Sequence, residues 1–319
     1  MTPNHRVSIV IPTYNEEANL PACLASIQRQ RFPALETIVV DNGSKDRTIE
    51  IAQQFGAIVL HDPSKEISGL RNLGVAAASG DIIAFVDADC VVDPDWISSA
   101  ATYFDRPDVV LWGSPATPPE NATWVQSTWY LLRKTPDDIQ EVAWLESMNL
   151  WVRKELFLSM GGFCESLTTC EDVDFSYRLG TRGKIVSDRR IRVIHYGEAA
   201  TVKAFVKKEI WRGQSNWQAI RNYGWRWREL PSALIPAHYG LLVPLSLAIQ
   251  PFLRPDAWLL LPVALLLLPC AATMVKLRRK RVSLAAGIRL LVLLQFYFFS
   301  RTLAVFHRSS RRRACLKPA

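Results

Sequence analysis

Acidic side chains recur in this sequence at the ends of apolar runs, and chemistry is expected there. Asp87 and Asp89 close the run Ile82-Ile83-Ala84-Phe85-Val86, separated by the small Ala88. If strand geometry persists through them, both carboxylates project to one side, because side chains alternate along an extended chain. Two converging carboxylates repel each other, and a divalent cation relieves that repulsion. Mg²⁺ or Mn²⁺ suits oxygen donors that must also hold phosphates. The alternative is a strand end capped by solvated acids. A second cluster, Glu171, Asp172 and Asp174, opens a helical stretch. Its members could take a proton from a hydroxyl, or could simply satisfy the positive end of a helix. Asp41 closes another apolar run, and His195 a third; a neutral imidazole at that place is a good further metal ligand or a contact for a phosphate.

The elements that must position these groups alternate in type. Val7 to Pro12 reads as a strand stopped by Pro12, Asn19 to Gln30 as a helix, Glu36 to Asp41 as a strand, and Asp46 to Gln54 as a helix. Gly56 to Leu60 is a third strand, Gly69 to Ser79 an Ala-rich helix, and Ile82 to Asp89 the buried strand. This alternation predicts an α/β fold with a mostly parallel sheet and helices on both faces. In such sheets ligands bind at the carboxyl ends of the strands. The loops there carry Tyr14, Glu16, Asp41, Asn42, Asp87 and Asp89. Neither G-x-G-x-x-G nor a P-loop is present. The signal thins from Asp93 to Glu146. Within it Trp124 to Leu132 reads as a helix; beyond it Met148 to Val152 reads as a strand, Arg153 to Met160 and Glu171 to Gly180 as helices, and Lys184 to Val186 and Arg192 to His195 as short strands.

Four stretches, in order, resemble the inverting family 2 glycosyltransferases of GT-A (Rossmann-like) fold, in a membrane-anchored bacterial form. They are Val-Ile-Pro-Thr-Tyr-Asn-Glu-Glu (10–17), Val-Val-Asp-Asn-Gly-Ser-Lys-Asp-Arg-Thr (39–48), Arg71-Asn72-Leu73-Gly74 and Phe85-Val86-Asp87-Ala88-Asp89. The likeness extends over roughly residues 6 to 215. It implies that Pro12, Tyr14 and Glu16 line a nucleotide pocket, with Asp87 beside it. Asp41 would meet the base, typically uracil, and Arg71 would stand near the diphosphate. Asp89 would hold the metal, with His195 as a further ligand. Gly161, Gly162 and Phe163, with Glu171, would stand on the acceptor side, and Asp172 would be the general base. Plainer readings exist: Asp41 as a turn cap, Glu16 as a first-turn helix acid, Arg71 as a solvated helix residue.

The chain has 319 residues, 49 % hydrophobic and 21 % charged, with a net charge of +8. Apolar residues crowd the last quarter. Leu234 to Leu253 is interrupted by three prolines, Ala257 to Val275 is almost wholly apolar, and Ile288 to Phe306 follows. Basic residues flank these runs, as at Lys276 to Arg281 and Arg308 to Lys317, which favours an anionic membrane surface over nucleic acid. A buried helical subdomain is the alternative. None of the six cysteines forms C-x-x-C, and they read as scattered reduced thiols rather than a zinc site. Met1 to Arg6 is polar and leads into a strand, so no signal peptide is expected there.

The domains expected are a catalytic domain over 1–230 and a membrane-associated helical region over 231–319 with two to three hydrophobic segments and a basic tail. The function expected is transfer of a sugar from a nucleotide-diphosphate sugar, a UDP-sugar foremost, to a lipid-linked or saccharide acceptor with Mg²⁺ or Mn²⁺. The place expected is the bacterial inner membrane, with the catalytic domain facing the cytoplasm. A polyprenyl phosphate acceptor, a nucleotidyltransferase and an inactive membrane scaffold are the competing readings.

Overall fold

The structure is a computed structural model that describes residues 5–133, 137–223, 234, 236–252, 260–277 and 283–306. These residues fall into two compact units, one built from 5–120 and 137–197, the other from 121–133 and 198–306.

The first unit runs β1 (Val7–Thr13), α1 (Leu20–Gln28), β2 (Glu36–Asp41), α2 (Thr48–Gln54), β3 (Ile58–His61), α3 (Ile67–Ala77) and β4 (Ile82–Val86). A short β5 (Cys90–Val92), α4 (Trp96–Ala100) and β6 (Val109–Gly113) follow. After residue 136 come β7 (Ile139–Glu141), β8 (Asn149–Arg153), α6 (Lys154–Ser159), α7 (Glu171–Leu179), β9 (Lys184–Asp188) and β10 (Val193–His195), with α5 (Trp124–Arg133) belonging to the second unit. The strands form an eight-stranded sheet in the order β3-β2-β1-β4-β8-β6-β9-β7 and a separate ribbon of β10 and β5.

The strand–helix alternation produces the parallel part, β3-β2-β1-β4. Strands β1, β4 and β6 are buried along their whole length, as strands covered on both faces must be. The other half is mixed. Strand β8 enters antiparallel between β4 and β6, and β7 pairs antiparallel with β9 at the edge. Strand β1 does not stop at Pro12 but runs through it to Thr13. The ladder to β4 has already ended at Val10↔Phe85, so only the β2 side is paired there, and a residue without an N–H is tolerated. Conversely β4 ends at Val86, earlier than the sequence suggests.

Helix α3 packs closely on the sheet through Gly74, where an added Cβ would lie 2.4 Å from Val10 Cγ1 and 3.1 Å from Val40 Cγ2. A core of Phe85, Phe157, Phe163 and Phe175, with ring centroids 5.0–5.6 Å apart, joins β4, α6, the Gly161-Gly162-Phe163 turn and α7. Asn149 is a buried polar hub of β8. It accepts from Trp96 Nε1 at 2.8 Å and donates to Ser114 and Ile191 carbonyls at 3.0 and 2.7 Å, tying β8 to β6 and to the segment before β10.

The second unit is helical: α5, α8 (Val202–Gly213), α9 (Asn216–Tyr223), a π turn at His238–Leu242, α10 (Val243–Ala248), α11 (Leu260–Leu277) and α12 (Leu284–Ala304). Thr201 and Ser283 cap α8 and α12 by accepting from Ala204 and Ala286 N–H groups. Gly213 permits a close helix approach, since a Cβ there would lie 2.4 Å from that of Ala304. Of the three apolar stretches, the first is broken into the π turn, α10 and a 3₁₀ turn at Gln250–Phe252. The second contains Pro269 within α11. Among the described residues one helix, α12 with 21 residues, is long and apolar enough to cross a membrane. Leu290, Leu293, Leu294 and Phe298 are buried, whereas Leu284, Ile288, Val292 and Phe299 are exposed. The basic stretches at 278–281 and 308–317 lie outside the described residues.

Among the described residues Cys23, Cys90, Cys170 and Cys270 are free thiols, and Cys315 lies outside the described residues.

Candidate active site

Because β4 ends at Val86, Asp87-Ala88-Asp89 is a turn, closed by the Cys90 N–H donating to the Asp87 carbonyl at 3.0 Å. Alternation is lost there, and the two carboxylates take different partners. Asp87 Oδ1 accepts from Arg71 Nη2 at 2.7 Å. Asp89 Oδ2 lies 3.2 Å from His195 Nε2.

The β5–β10 ribbon explains that second pairing. His195 stands opposite Cys90, so its ring meets the residue just before β5. One carboxylate oxygen of Asp89, one ring nitrogen of His195 and Cys90 Sγ lie within 4.8 Å of one another. Gly197 completes the cradle: a Cβ there would fall 1.7 Å from Asp89 Oδ2 and 3.2 Å from His195 Nε2. A carboxylate oxygen and an imidazole nitrogen are the donors Mn²⁺ or Mg²⁺ accepts, and Asp89 Oδ2 can stand where it does only because residue 197 has no side chain. The donor set fits such an ion. Cys90 is fully buried, and burial, followed by the charges of Asp89 and Asp87, holds its thiol well above the usual range.

Arg71 is not on a solvent-facing rim. It is 1 % exposed, with Nη1 2.7 Å from Glu171 Oε1 and Nη2 committed to Asp87. The neighbouring Asn72 donates to the Phe163 carbonyl and accepts from the Phe163 N–H, both at 2.9 Å. From the other side Arg178 of α7 donates to the carbonyls of Met160 and Gly162 at 2.7 Å. These contacts fix the Gly161-Gly162 turn, whose φ values of +74° and +66° favour glycine. A Cβ on Gly162 would also meet Asn72 Oδ1 at 2.6 Å, whereas Gly161 has open space around it. Phe163, read from the sequence as acceptor-side, is 2 % exposed and belongs to the aromatic core.

Asp172 occupies the first turn of α7, half-buried. Cys170, just before the helix, has φ +66°, a conformation a side-chain-bearing residue adopts at a cost. Asp172 Oδ2 accepts from the Ser147 N–H at 3.2 Å, and Oδ1 from the Val173 N–H at 2.8 Å. Its pKa is pushed up to about 7, by burial first and then by the nearby Glu171 and Glu146 carboxylates. A carboxyl group poised near neutrality suits proton abstraction at physiological pH.

On the β1–β2 side, Tyr14 is 55 % exposed and Pro12 is buried. Asn15 is left-handed at φ +55° and is stapled by its N–H to Ser44 Oγ and by its Oδ1 to the Lys45 N–H. Glu16 is half-buried. Burial raises its pKa, the hydrogen bond from Asn19 opposes that, and the charges of Asp89 and Asp87 add to the rise. Asp41 has no exposed surface. Its Oδ2 accepts from the N–H groups of Gly43 and Ser44 at 2.8 and 2.9 Å and faces His61 Nδ1 at 3.0 Å. It holds its own turn in the manner expected of Asp-Asn-Gly.

Structure therefore brings Asp89 with His195, and joins Asp87, Arg71 and Glu171 in one chain of ion pairs beside Asp172. Sequence reasoning assigned no role to Gly197, Asn72, Arg178 or Glu146. A glycine two residues past the histidine was the available signal for the first, and the Arg71-Asn72 dipeptide for the second.

Residues 8–158 match the family model for Glycosyl transferase family 2. The chain is 31 % identical to the glycosyltransferase AglE of Haloferax volcanii over 188 residues, which are 56 % of this chain and 62 % of that one. It is 28 % identical to the glucosyl-dolichyl phosphate glucuronosyltransferase of the same organism, over 50 % of this chain and 56 % of that one. The chain thus spans less than two thirds of either relative. In fold it is similar to the mannosyltransferase PcManGT of Pyrobaculum calidifontis, solved with GDP-Man and Mn²⁺, at a TM-score of 0.62 and 18 % identity over 96 % of this chain and 87 % of that one. It is also similar to S. aureus TarS 1-349 with UDP-GlcNAc, at 0.51 and 17 % over 96 % and 93 %. The mixed sheet, the acid turn after β4 and the sequence match at residues 8–158 together make this a chain that carries a Glycosyl transferase family 2 domain in a GT-A architecture.

Proposed function

We propose that this protein transfers a sugar, with inversion, from a nucleotide-diphosphate sugar to a hydroxyl group of a membrane-linked acceptor. The observation that carries the reading is the placing of Asp172: a half-buried carboxyl group in the first turn of α7, one residue from the ion-pair chain that reaches Asp87, with burial and its acidic neighbours pushing its pKa up to about 7. The acceptor oxygen forms a bond to the anomeric carbon on the face opposite the diphosphate. The bond from that carbon to the diphosphate oxygen breaks, and the hydroxyl proton passes to a carboxylate oxygen of Asp172. Asp89 and His195 would hold Mg²⁺ or Mn²⁺, which when bound supplies positive charge against the departing diphosphate. Tyr14, Glu16 and Asp87 line the donor side, and Asp41 fixes the loop that receives the base.

A UDP-sugar is the first donor to test, and a GDP-sugar the second, because the neighbouring structures hold UDP-GlcNAc and GDP-Man. A lipid-linked saccharide is favoured as acceptor. One relative is named for acting on glucosyl-dolichyl phosphate, and α12 offers an apolar span. A polyprenyl phosphate is already anionic and would leave Asp172 without a task. In this reading the catalytic domain occupies 1–230 and the membrane-associated region 231–319, at a bacterial cytoplasmic membrane with the catalytic domain on the cytoplasmic side, where nucleotide sugars are made. The test is a donor screen following nucleotide release over membranes with extracted lipids. Turnover of one donor by the wild type, lost in Asp172→Asn and Asp89→Ala, is the expected result. Unchanged turnover in both variants refutes the site, and turnover with free polyprenyl phosphate that survives Asp172→Asn refutes the hydroxyl acceptor.

A further inference from the structure

We propose that Arg71 is a positioning residue that locks the acid turn after β4 to the first turn of α7, and is not a ligand of the donor diphosphate. The inference rests on the proposed reaction for its meaning, but its geometry stands apart from any substrate. Both terminal nitrogens of the guanidinium are engaged at 2.7 Å, one with Asp87, 16 residues away in sequence, the other with Glu171, 100 residues away. Such short bonds between charged groups are strong, and the planar fork of Arg presents two separate N–H groups in fixed directions, whereas the ammonium of Lys is a single point charge that cannot keep that spacing. The side chain is 1 % exposed, and its carbon Cζ stands 5.9 Å from the centre of the Phe163 ring. With the side chain buried and both terminal nitrogens paired, a diphosphate could reach it only if the groups that cover it moved, although Nε has no hydrogen-bond partner of its own.

The element carrying Arg71 is suited to holding other parts still. Helix α3 is seated on β1 and β2 through Gly74. The next residue, Asn72, grips both backbone groups of Phe163, 91 residues away in sequence. Two successive residues of one helix thus hold the acid turn, the glycine turn and the start of α7. Two residues on from Asp87 is Asp89 of the candidate metal pair; one residue on from Glu171 is Asp172.

Arg71 also balances charge at Asp172. The ionisable groups facing that carboxyl are Glu171 on its own helix, Glu146 in the loop before β8, and Arg71 from α3. The two carboxylates favour the protonated form and the guanidinium opposes them. Removing Arg71 should raise the titration point of Asp172, and neutralising Glu171 should lower it.

The experiment is ¹³C NMR of the full-length protein in detergent with ¹³Cγ-labelled aspartate, Asp172→Asn assigning the signal, in wild type, Arg71→Gln, Glu171→Gln and Arg71→Lys. Binding of UDP with Mn²⁺ is followed by calorimetry on the same samples. The expected result is a rise of about one pH unit in Arg71→Gln and a fall of about one unit in Glu171→Gln, as for a single neighbouring charge. Arg71→Lys, which keeps the charge, should keep both the titration point and UDP affinity within threefold while turnover falls at least tenfold. An unmoved Asp172 signal in folded Arg71→Gln overturns the proposal. So does a tenfold loss of UDP affinity in Arg71→Lys, which is the signature of a diphosphate ligand and the deciding result should Arg71→Gln not fold. The titration shifts need no substrate, so a chain that transfers no sugar would sink the proposed reaction and leave this inference to stand or fall by itself.

Discussion

Replacing Gly197 by Ala should disable the candidate metal pair without unfolding the protein. The added Cβ would lie 1.7 Å from Asp89 Oδ2, whereas ordinary contact begins at 3.4 Å, so one of the two must move by about 1.7 Å. Residue 197 has a backbone conformation open to alanine, because it is not among the glycines with positive φ. The carboxylate is the softer partner. It is the end of a side chain, and rotation about its own bonds carries it away from His195 Nε2, now 3.2 Å distant. Misplacing a group by about 1 Å in an active site commonly costs on the order of 100-fold in rate. Gly197→Ala should therefore lose about 100-fold in turnover and at least about tenfold in Mn²⁺ affinity, the scale typical of disturbing a metal ligand's surroundings. Its melting temperature should stay within a few degrees of wild type, the span of about 1 kcal/mol. Mn²⁺ binding by electron paramagnetic resonance, with and without UDP, reads the first effect, and a thermal scan reads the second. Gly197→Ala that binds Mn²⁺ like the wild type would refute the assignment of Asp89 and His195 as a pair, whatever happened to turnover.

Other expectations follow from single residues. Asp172→Asn should lower turnover by about 10²- to 10⁴-fold, the usual worth of a general base, and the wild-type rate should climb with pH through about 7, where Asp172 ionises. Its stability signature has the opposite slope. The folded protein keeps this proton up to about 7 while the unfolded chain releases it near 3.8, so the contribution falls as pH rises between those values. Urea melts should accordingly find Asp172→Asn more stable than wild type at pH 8, by a margin that shrinks towards pH 5. Gly74→Ala drives a methyl into Val10 and Val40 and should cost about 1–3 kcal/mol, read by the same melts. In the helical unit, Glu198 is buried against Arg212 at 2.9 Å, Arg133 at 3.3 Å and Lys208 at 3.5 Å. Burial alone would raise its pKa, but those cations outweigh it and hold the carboxyl well below the usual range. Its contribution is present above about 4.5, the usual carboxylate value, and disappears as pH falls below it. Glu198→Gln strands the cations and should cost about 3–5 kcal/mol at pH 7, with a difference that narrows in acid.

The sequence by itself determined the parallel half of the sheet, the placing of acids at strand ends, and the family 2 domain that residues 8–158 match. These depend on local patterns: apolar runs of strand length, helical spacing and turn residues such as Asp-Asn-Gly, each contained within a few neighbouring residues. Tertiary structure alone decided where the side chains went. Asp87 and Asp89 take different partners because β4 ends at Val86 and the turn directs one to Arg71 on α3 and the other to His195 on β10, 106 residues further along. Arg71 is a buried clamp because Glu171 arrives from 100 residues away, and no periodicity around residue 71 records that arrival. Phe163 is core because α6 and α7 close over it. The antiparallel insertion of β8 was hidden for a related reason: a strand buried on both faces shows an apolar run whatever its direction, and direction is chosen by the neighbours it meets. Gly197 shows the limit most sharply, since the absence of a side chain gains meaning only from the carboxylate that fills the space.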